Sequence, residues 1–210
     1  MTPAAEPSGT TDRNRDRNPV TIGVLALQGD YEAHERAFAS LGARTVLVRK
    51  ASELAGIDGL VIPGGESTTM LKFLEQDGFF AELEKFVERT PTFATCAGCI
   101  LLAREVLHPA QRSLGALDAT VERNAYGRQI DSTILNAETT IPGGPLEMVF
   151  IRSPRITRVG EGVEMLAERD GAPTLVRQGH LLVATFHPEM TDDTRVQQLF
   201  LDMVAEQKAR

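Results

Sequence analysis

Residues 92–105 read Thr92-Phe93-Ala94-Thr95-Cys96-Ala97-Gly98-Cys99-Ile100-Leu101-Leu102-Ala103-Arg104-Glu105, and this stretch decides how the chain is read. TFAT (92–95) suits a short buried strand, and Gly98–Val106 suits a helix packed behind it. A buried strand that turns at once into a helix is the repeating unit of a parallel, doubly wound sheet. Both cysteines of the chain sit at this corner, three residues apart.

The same unit recurs towards the N-terminus. TIGVLAL (21–27) is a continuous apolar run ending in Gln28-Gly29-Asp30, as expected of a strand covered on both faces. Tyr31–Leu41 follows as a helix with Ala33, Ala37, Phe38 and Leu41 on one face, stopped by Gly42. TVLVR (45–49) and GLVI (59–62) are two further short buried strands. Pro63-Gly64-Gly65-Glu66-Ser67 then turns the chain into a helix carrying Met70, Leu71 and Leu74. A second helix carries Phe79, Phe80, Leu83, Phe86 and Val87. From about residue 113 strands dominate: ALDATVE, DSTILNAETTI, LEMVFIR, VEMLAER, PTLVRQ and HLLVATF. We expect them to extend the same sheet rather than to build a second domain. Thr191-Asp192-Asp193 caps a last helix with an apolar face of Val196, Leu199, Phe200, Met203 and Val204.

Composition bounds the function. The chain has 210 residues, of which 42% are hydrophobic and 24% charged, which is globular usage. A net charge of −7 opposes binding to a phosphate backbone, so nucleic acid is not an expected partner. No apolar run reaches the roughly 18 residues of a membrane helix, and no signal-peptide core opens the sequence. Two cysteines do not make a disulfide framework, so a reducing, cytoplasmic setting is expected. Residues 1–19, with three acidic and three basic side chains, read as a disordered tail, and residues 20–210 as one domain.

Cys96 ends a strand just before a helix N-terminus, a place that exposes a side chain and favours a thiolate. Cys99 falls among Ile100, Leu101 and Leu102, where cysteine acts as a small buried hydrophobe. A dithiol redox site is the competing reading of this C-x-x-C. A metal site would need a second C-x-x-C or an H-x₃₋₅-H, and neither exists. Four histidines could supply a base. His34 lies in a polar part of the first helix and reads as solvated; His108 reads as a helix end before Pro109; His180 reads as a hairpin-turn residue. His187 ends the apolar strand LLVATF and precedes Pro188-Glu189. Cys96 as nucleophile, His187 as proton carrier and Glu189 as orienter of the imidazole then form an economical set. The paired glycines 64 and 65 can turn backbone N–H groups towards a ligand. That suits an oxyanion hole better than a phosphate loop, because no lysine follows them at the required spacing.

GVLALQGDYEAHERAF, GLVIPGGESTT, TCAGCI, VERNAYGRQ, FIRSP and ATFHPEMT together resemble the glutaminase subunits of pyridoxal 5′-phosphate synthase (PdxT type), which are class I glutamine amidotransferases. The likeness runs from about Thr21 to the C-terminus. It implies a three-layer α/β/α flavodoxin-like fold, mostly parallel with a β-rich second half. It also implies hydrolysis of L-glutamine to glutamate and ammonia through a Cys96–His187–Glu189 triad and a thioester, without a cofactor or metal. Gly65 and Ala97 would supply the oxyanion-hole N–H groups. Gly65, Glu66, Ser67, Arg123, Ile151 and Arg152 would bind glutamine, arginines facing its carboxylate and Glu66 its ammonium. The bland alternatives are a helix-capping Glu66 and structural ion pairs for the two arginines. The implied partner is a (β/α)₈-barrel synthase subunit that makes pyridoxal 5′-phosphate from ribose 5-phosphate and glyceraldehyde 3-phosphate. Other readings are the glutaminase of another amidotransferase, such as the imidazole glycerol phosphate synthase type, a catalytically silent subunit, or the dithiol redox protein. Two positions depart from the family pattern: Ala94 stands where it has Gly, and Cys99 where it usually has Leu or Met.

Overall fold

The computed structural model describes residues 20–123 and 132–210. The segment 1–19, expected to be a disordered tail, and residues 124–131 of the VERNAYGRQ region lie outside the described residues.

Strand β1 (Thr21–Leu25) leads into helix α1 (Tyr31–Ser40), followed by β2 (Arg44–Val48) and β3 (Gly59–Ile62). Helices α2 (Ser67–Leu74) and α3 (Phe79–Val87) precede β4 (Thr92–Thr95), from which α4 (Ala97–Leu102) departs. Then come β5 (Ala103–Leu107), β6 (Leu117–Glu122), β7 (Thr133–Ala137), β8 (Leu146–Phe150) and β9 (Arg155–Val159). Strands β10 (Glu164–Arg169), β11 (Ala172–Gln178) and β12 (Leu181–Ala184) precede the last helix, α5 (Arg195–Lys208).

A seven-stranded sheet runs in the order β10-β11-β12-β4-β3-β1-β2. Five of its strands, from β12 to β2, are parallel; β11 pairs antiparallel with β12, and β10 antiparallel with β11. Side chains alternate between its faces. Ile22, Val24, Val61, Phe93 and Leu182 pack with Phe38 of α1 and with Phe200 and Val204 of α5. Leu25, Leu60, Ile62, Ala94 and Val183 pack with Met70, Leu83 and Ile100 of α2, α3 and α4. Helices thus cover both faces, giving the expected three layers, and explain why the parallel strands read as unbroken apolar runs. Phe38, Phe93 and Phe200 form an aromatic cluster with centroids 5.6–6.4 Å apart.

Several local expectations need correction. The helix expected over Gly98–Val106 stops at Leu102, and Ala103–Leu107 is a strand paired in parallel with β6. Its exposed Arg104 and Glu105 lie between buried Ala103 and Val106, a pattern too short to distinguish the two periods. His108 accordingly follows a strand, not a helix. Residues 155–159, absent from the expected strands, form β9. Of the later strands only β10, β11 and β12 join the main sheet; β5-β6-β9 and β7-β8 make two small separate sheets. TVLVR was expected to be buried, but β2 is the sheet edge and only Val48 of it is fully covered. The last helix starts at Arg195, where the Asp193 carboxylate accepts the Arg195 N–H at 3.1 Å.

Candidate active site

The carboxyl ends of β3, β4 and β12 lie side by side in the sheet, the usual place for a ligand in an open α/β fold. Each strand end delivers its own group to that place: Gly64-Gly65-Glu66-Ser67 after β3, Cys96 after β4, His187 after β12. The Cys96 N–H bonds the Ala184 carbonyl at 2.9 Å, tying the β4 corner to β12. The His187 N–H bonds the Val149 carbonyl at 2.8 Å, which brings the end of β8, with Ile151 and Arg152, to the same place.

These groups surround a cavity of about 290 Å³. Gly65, Glu66, Ser67, Cys96, Ala97, Arg123, Ile151, Arg152 and His187 all line it, so the expected site residues converge with one exception. The exception is Glu189, which stands behind His187, fully covered. Asp30, Ile100 and Met190 also line the cavity and were not anticipated. Asp30 closes the Gln28-Gly29-Asp30 turn at the end of β1, and Met190 directly follows His-Pro-Glu; position after a strand end was the available signal for both.

Cys96 was expected to be exposed, but it is buried at 6% accessibility and forms part of the cavity floor. Its φ of 46° is left-handed, a conformation that costs a non-glycine residue about 1–3 kcal/mol and persists where the surroundings enforce it. The bend aims the sulfur across the strand ends, 3.9 Å from the Ile151 carbonyl. Arg152, with φ 46°, is a second left-handed residue on the cavity wall.

His187 Nδ1 lies 2.8 Å from Glu189 Oε1, and its ring shares the cavity wall with Cys96. Burial pushes the imidazole pKa down, but the hydrogen bonds and charges of Cys96 and Glu189 outweigh it and raise it to about 10. Burial likewise pushes Glu189 up, yet the His34 imidazole beside it and the hydrogen bond from His187 hold it at about 2. A Cβ at Gly64 would lie 2.4 Å from the His187 Cε1 and 3.3 Å from the Cys96 Cβ, so glycine is what lets these two side chains meet.

The Gly64 carbonyl packs so closely on Gly29 that a Cβ there would stand 1.8 Å from its oxygen. In a planar trans peptide the Gly65 N–H then points away from Gly29, and it has no hydrogen-bond partner among the described residues. The Glu66 N–H is already taken by the Gln28 side-chain carbonyl at 2.5 Å.

Glu66 combines two of the readings offered for it. Its carboxylate caps α2, accepting the N–H groups of Thr68 at 3.2 Å and Thr69 at 2.7 Å and both of their hydroxyls. Burial pushes its pKa up, but these donors hold it at about 2. Its charge therefore remains on the cavity wall, with the Arg123 Nη2 3.5 Å away. Arg123 also donates to the Thr68 hydroxyl at 3.1 Å. The Ser67 hydroxyl, 3% exposed at residue level, donates to Gln111 Oε1 at 2.9 Å.

The remaining histidines differ from one another. His180 Nε2 bonds the Val87 carbonyl at 2.8 Å in the β11–β12 turn. His34, expected to be solvated, is completely buried. Its polar neighbours misled here: His34 stands one helical turn before Phe38, on the inward face of α1, against Phe93.

The chain matches the model of the SNO glutamine amidotransferase family over residues 24–206. A relative from Koribacter versatilis (strain Ellin345), named pyridoxal 5′-phosphate synthase subunit PdxT, is 62% identical over 183 residues, 87% of this chain and 95% of its own length. One of the same name from Thermotoga maritima is 48% identical over 188 residues, 87% and 98% of the two chains. A crystal structure of a glutamine amidotransferase superposes with a TM-score of 0.82 at 46% identity, covering 88% of this chain and 98% of that one. A putative GMP synthase subunit from Thermoplasma acidophilum, 18% identical with a TM-score of 0.70 over 92% and 98% of the chains, shares the fold. Matched over nearly all of its described length, the chain belongs to the SNO glutamine amidotransferase family.

Proposed function

We propose that residues 20–210 form one glutaminase domain that hydrolyses L-glutamine and passes the ammonia to a pyridoxal 5′-phosphate synthase. One observation carries the reading: a left-handed Cys96 and His187 meet over Gly64, with Glu189 bonded behind the imidazole, all at one small cavity. The cavity lies just below the roughly 300–1,000 Å³ of drug-sized pockets, as befits an amino acid. Membership of the family and the name shared by the relatives point the same way.

In this mechanism the Cys96 thiolate attacks the side-chain amide carbon of glutamine. The carbonyl oxygen becomes an oxyanion held by the backbone N–H groups of Gly65 and Ala97. His187 gives its proton to the amide nitrogen, ammonia leaves, and a thioester remains. Water then attacks the thioester while His187 takes its proton; collapse expels the thiolate and yields glutamate. Glu189 keeps the imidazole oriented through both steps. Arg123 and Arg152 take the substrate carboxylate, the Glu66 charge attracts its ammonium, and the Ile151 carbonyl, with Ser67, shapes the pocket between them.

The partner is a synthase subunit of (β/α)₈-barrel type that builds pyridoxal 5′-phosphate from ribose 5-phosphate and glyceraldehyde 3-phosphate, in a cytoplasmic hetero-oligomer. The two free thiols fit a reducing compartment, and among the described residues no helix is long and apolar enough to cross a membrane. The test is glutamate release by the chain alone and with its synthase. Free ammonia is wasted without an acceptor, so the synthase should raise the rate, by on the order of 10²–10³ if docking completes an oxyanion-hole donor. No glutamate in either condition would refute the glutaminase; full activity alone, unchanged by synthase, would refute the partnership.

A further inference from the structure

We propose that His34 is a positioning residue for this reaction, a second imidazole that holds Glu189 so that Glu189 can hold His187. The inference rests on the glutaminase reading above. The Glu189 side chain has no solvent exposure, and its Oε2 has no hydrogen-bond partner among the described residues. The whole burden of satisfying a buried carboxylate falls on Oε1, and a buried charge that lacks donors is costly. Two groups face that oxygen: His187 Nδ1 at 2.8 Å and His34 Nε2 at 3.4 Å. His34 reaches it from α1, a different element from the turn that carries both triad partners.

Geometry sets the tautomer. A lone pair on His34 Nε2 would face the Glu189 carboxylate 3.4 Å away, so the favoured tautomer carries its proton on Nε2, where the Thr95 hydroxyl oxygen 3.1 Å away also accepts it. His34 Nδ1 has no partner among the described residues, which suits an unprotonated nitrogen better than a buried N–H. The ring is fully buried and stands edge-on to Phe93, 6.0 Å between centroids. Thr95 ends β4 and immediately precedes the nucleophile. His34 therefore bridges the strand that carries Cys96 and the carboxylate that orients its base. A side chain that fills this space without a donor leaves Glu189 with one partner and frees it to turn away from His187.

The experiment compares His34→Leu and His34→Gln in the full chain with its synthase present. Leucine matches the volume without a donor; glutamine places an amide N–H near the Nε2 position. Glutamate release gives kcat and KM. The rate of iodoacetamide alkylation at Cys96, read by mass, reports the thiolate without involving glutamine. Supporting groups that orient a working side chain are worth about 10–100-fold at metal sites, and we expect the lower end here. His34→Leu should lose about tenfold in kcat with KM changed by less than about twofold, and Cys96 alkylation should slow several-fold; His34→Gln should recover most of both. Wild-type kcat and alkylation in His34→Leu would overturn the proposal. So would equal losses in both variants accompanied by equal falls in Tm, the signature of a packing role alone. Absence of glutamine hydrolysis in the wild-type complex would sink the glutaminase reading, and the alkylation comparison would still decide whether His34 positions the Cys96–His187 pair.

Discussion

Cys96 and Cys99 are three residues apart, yet they occupy opposite chemical worlds. Cys99 lies inside α4 with no exposure, packed among Met70, Leu101 and the rest of that core. Burial, and then the charge of Cys96, push its thiol well above the usual range. Cys96 stands at the turn before the helix, left-handed and open to the cavity it shares with His187. Spacing alone does not make a dithiol. What separates the two sulfurs is their distance from a strand's carboxyl end and the base that waits there.

The largest expected effect tests that contrast directly. Cys96→Ala should lower glutaminase activity by on the order of 10⁴-fold or more, as removal of a nucleophile does. Cys99→Ser should stay within a few-fold of wild type, at a stability cost of about 1 kcal/mol for a buried hydroxyl, which α4 can partly satisfy by bonding back to its own backbone. Steady-state kinetics and thermal melts on both variants read these outcomes. Equal loss of activity in the two would support the dithiol reading and erase the contrast.

The next effect asks whether neighbours, rather than location, make Cys96 reactive. His187→Asn should cost about 10²–10⁴-fold in kcat, and Glu189→Gln less, since the imidazole remains. Near-wild-type activity in His187→Asn would remove the histidine from the mechanism. The pair also sets a pH window for stability. His187 is raised from 6.5 to about 10, so its contribution is complete below pH 6.5 and is lost as pH rises towards 10. Glu189 is depressed from 4.5 to about 2, so its contribution is complete above pH 4.5 and is lost as pH falls towards 2. Denaturant unfolding of wild type and Glu189→Gln at pH 3 and pH 6 should show a smaller acid loss in the variant.

Much of this was legible in the chain, for physical reasons. The inner parallel strands are covered on both faces, so each reads as an apolar run, and the strand ends that carry Cys96, His187 and Gly64-Gly65 could be marked. The covered state of Cys96 was not legible, because its lid comes from Ile151 and Arg152, more than fifty residues away. His34 was misread for a related reason. A polar residue among Glu32, Glu35 and Arg36 looks solvated, and only the carboxylate waiting inside turns it inwards. Ala103–Leu107 and Arg155–Val159 are strands because they pair with Leu117–Glu122, a partnership no local period announces. The capping role of Glu66 was legible as one of two readings, and its donors Thr68 and Thr69 belong to the helix it caps.

The smallest effect concerns Ala94, the position at which the resemblance leads us to expect glycine. If the strain of the corner fell on residue 94, alanine there would cost about 1–2 kcal/mol and displace the nucleophile. The left-handed residue is Cys96 instead, and Ala94 is an ordinary strand position paired with Ile62 and Val183. Its methyl group is fully buried and stands 3.1 Å from where a Cβ on Gly98 would lie, so it fills the space that Gly98 leaves as α4 closes on β4. Ala94→Gly would lose one buried methyl group, about 0.8 kcal/mol, and add the strand entropy cost of glycine, about 0.5–1 kcal/mol. At about 2–4 °C per kcal/mol for a chain of this size, Tm should fall by roughly 3–7 °C. Glutaminase activity with synthase present should stay within a few-fold, because nothing at Cys96 has been relieved. A tenfold gain, or a rise in Tm, would mean that alanine strains the corner after all, and that Cys96 differs from Cys99 less than its geometry implies.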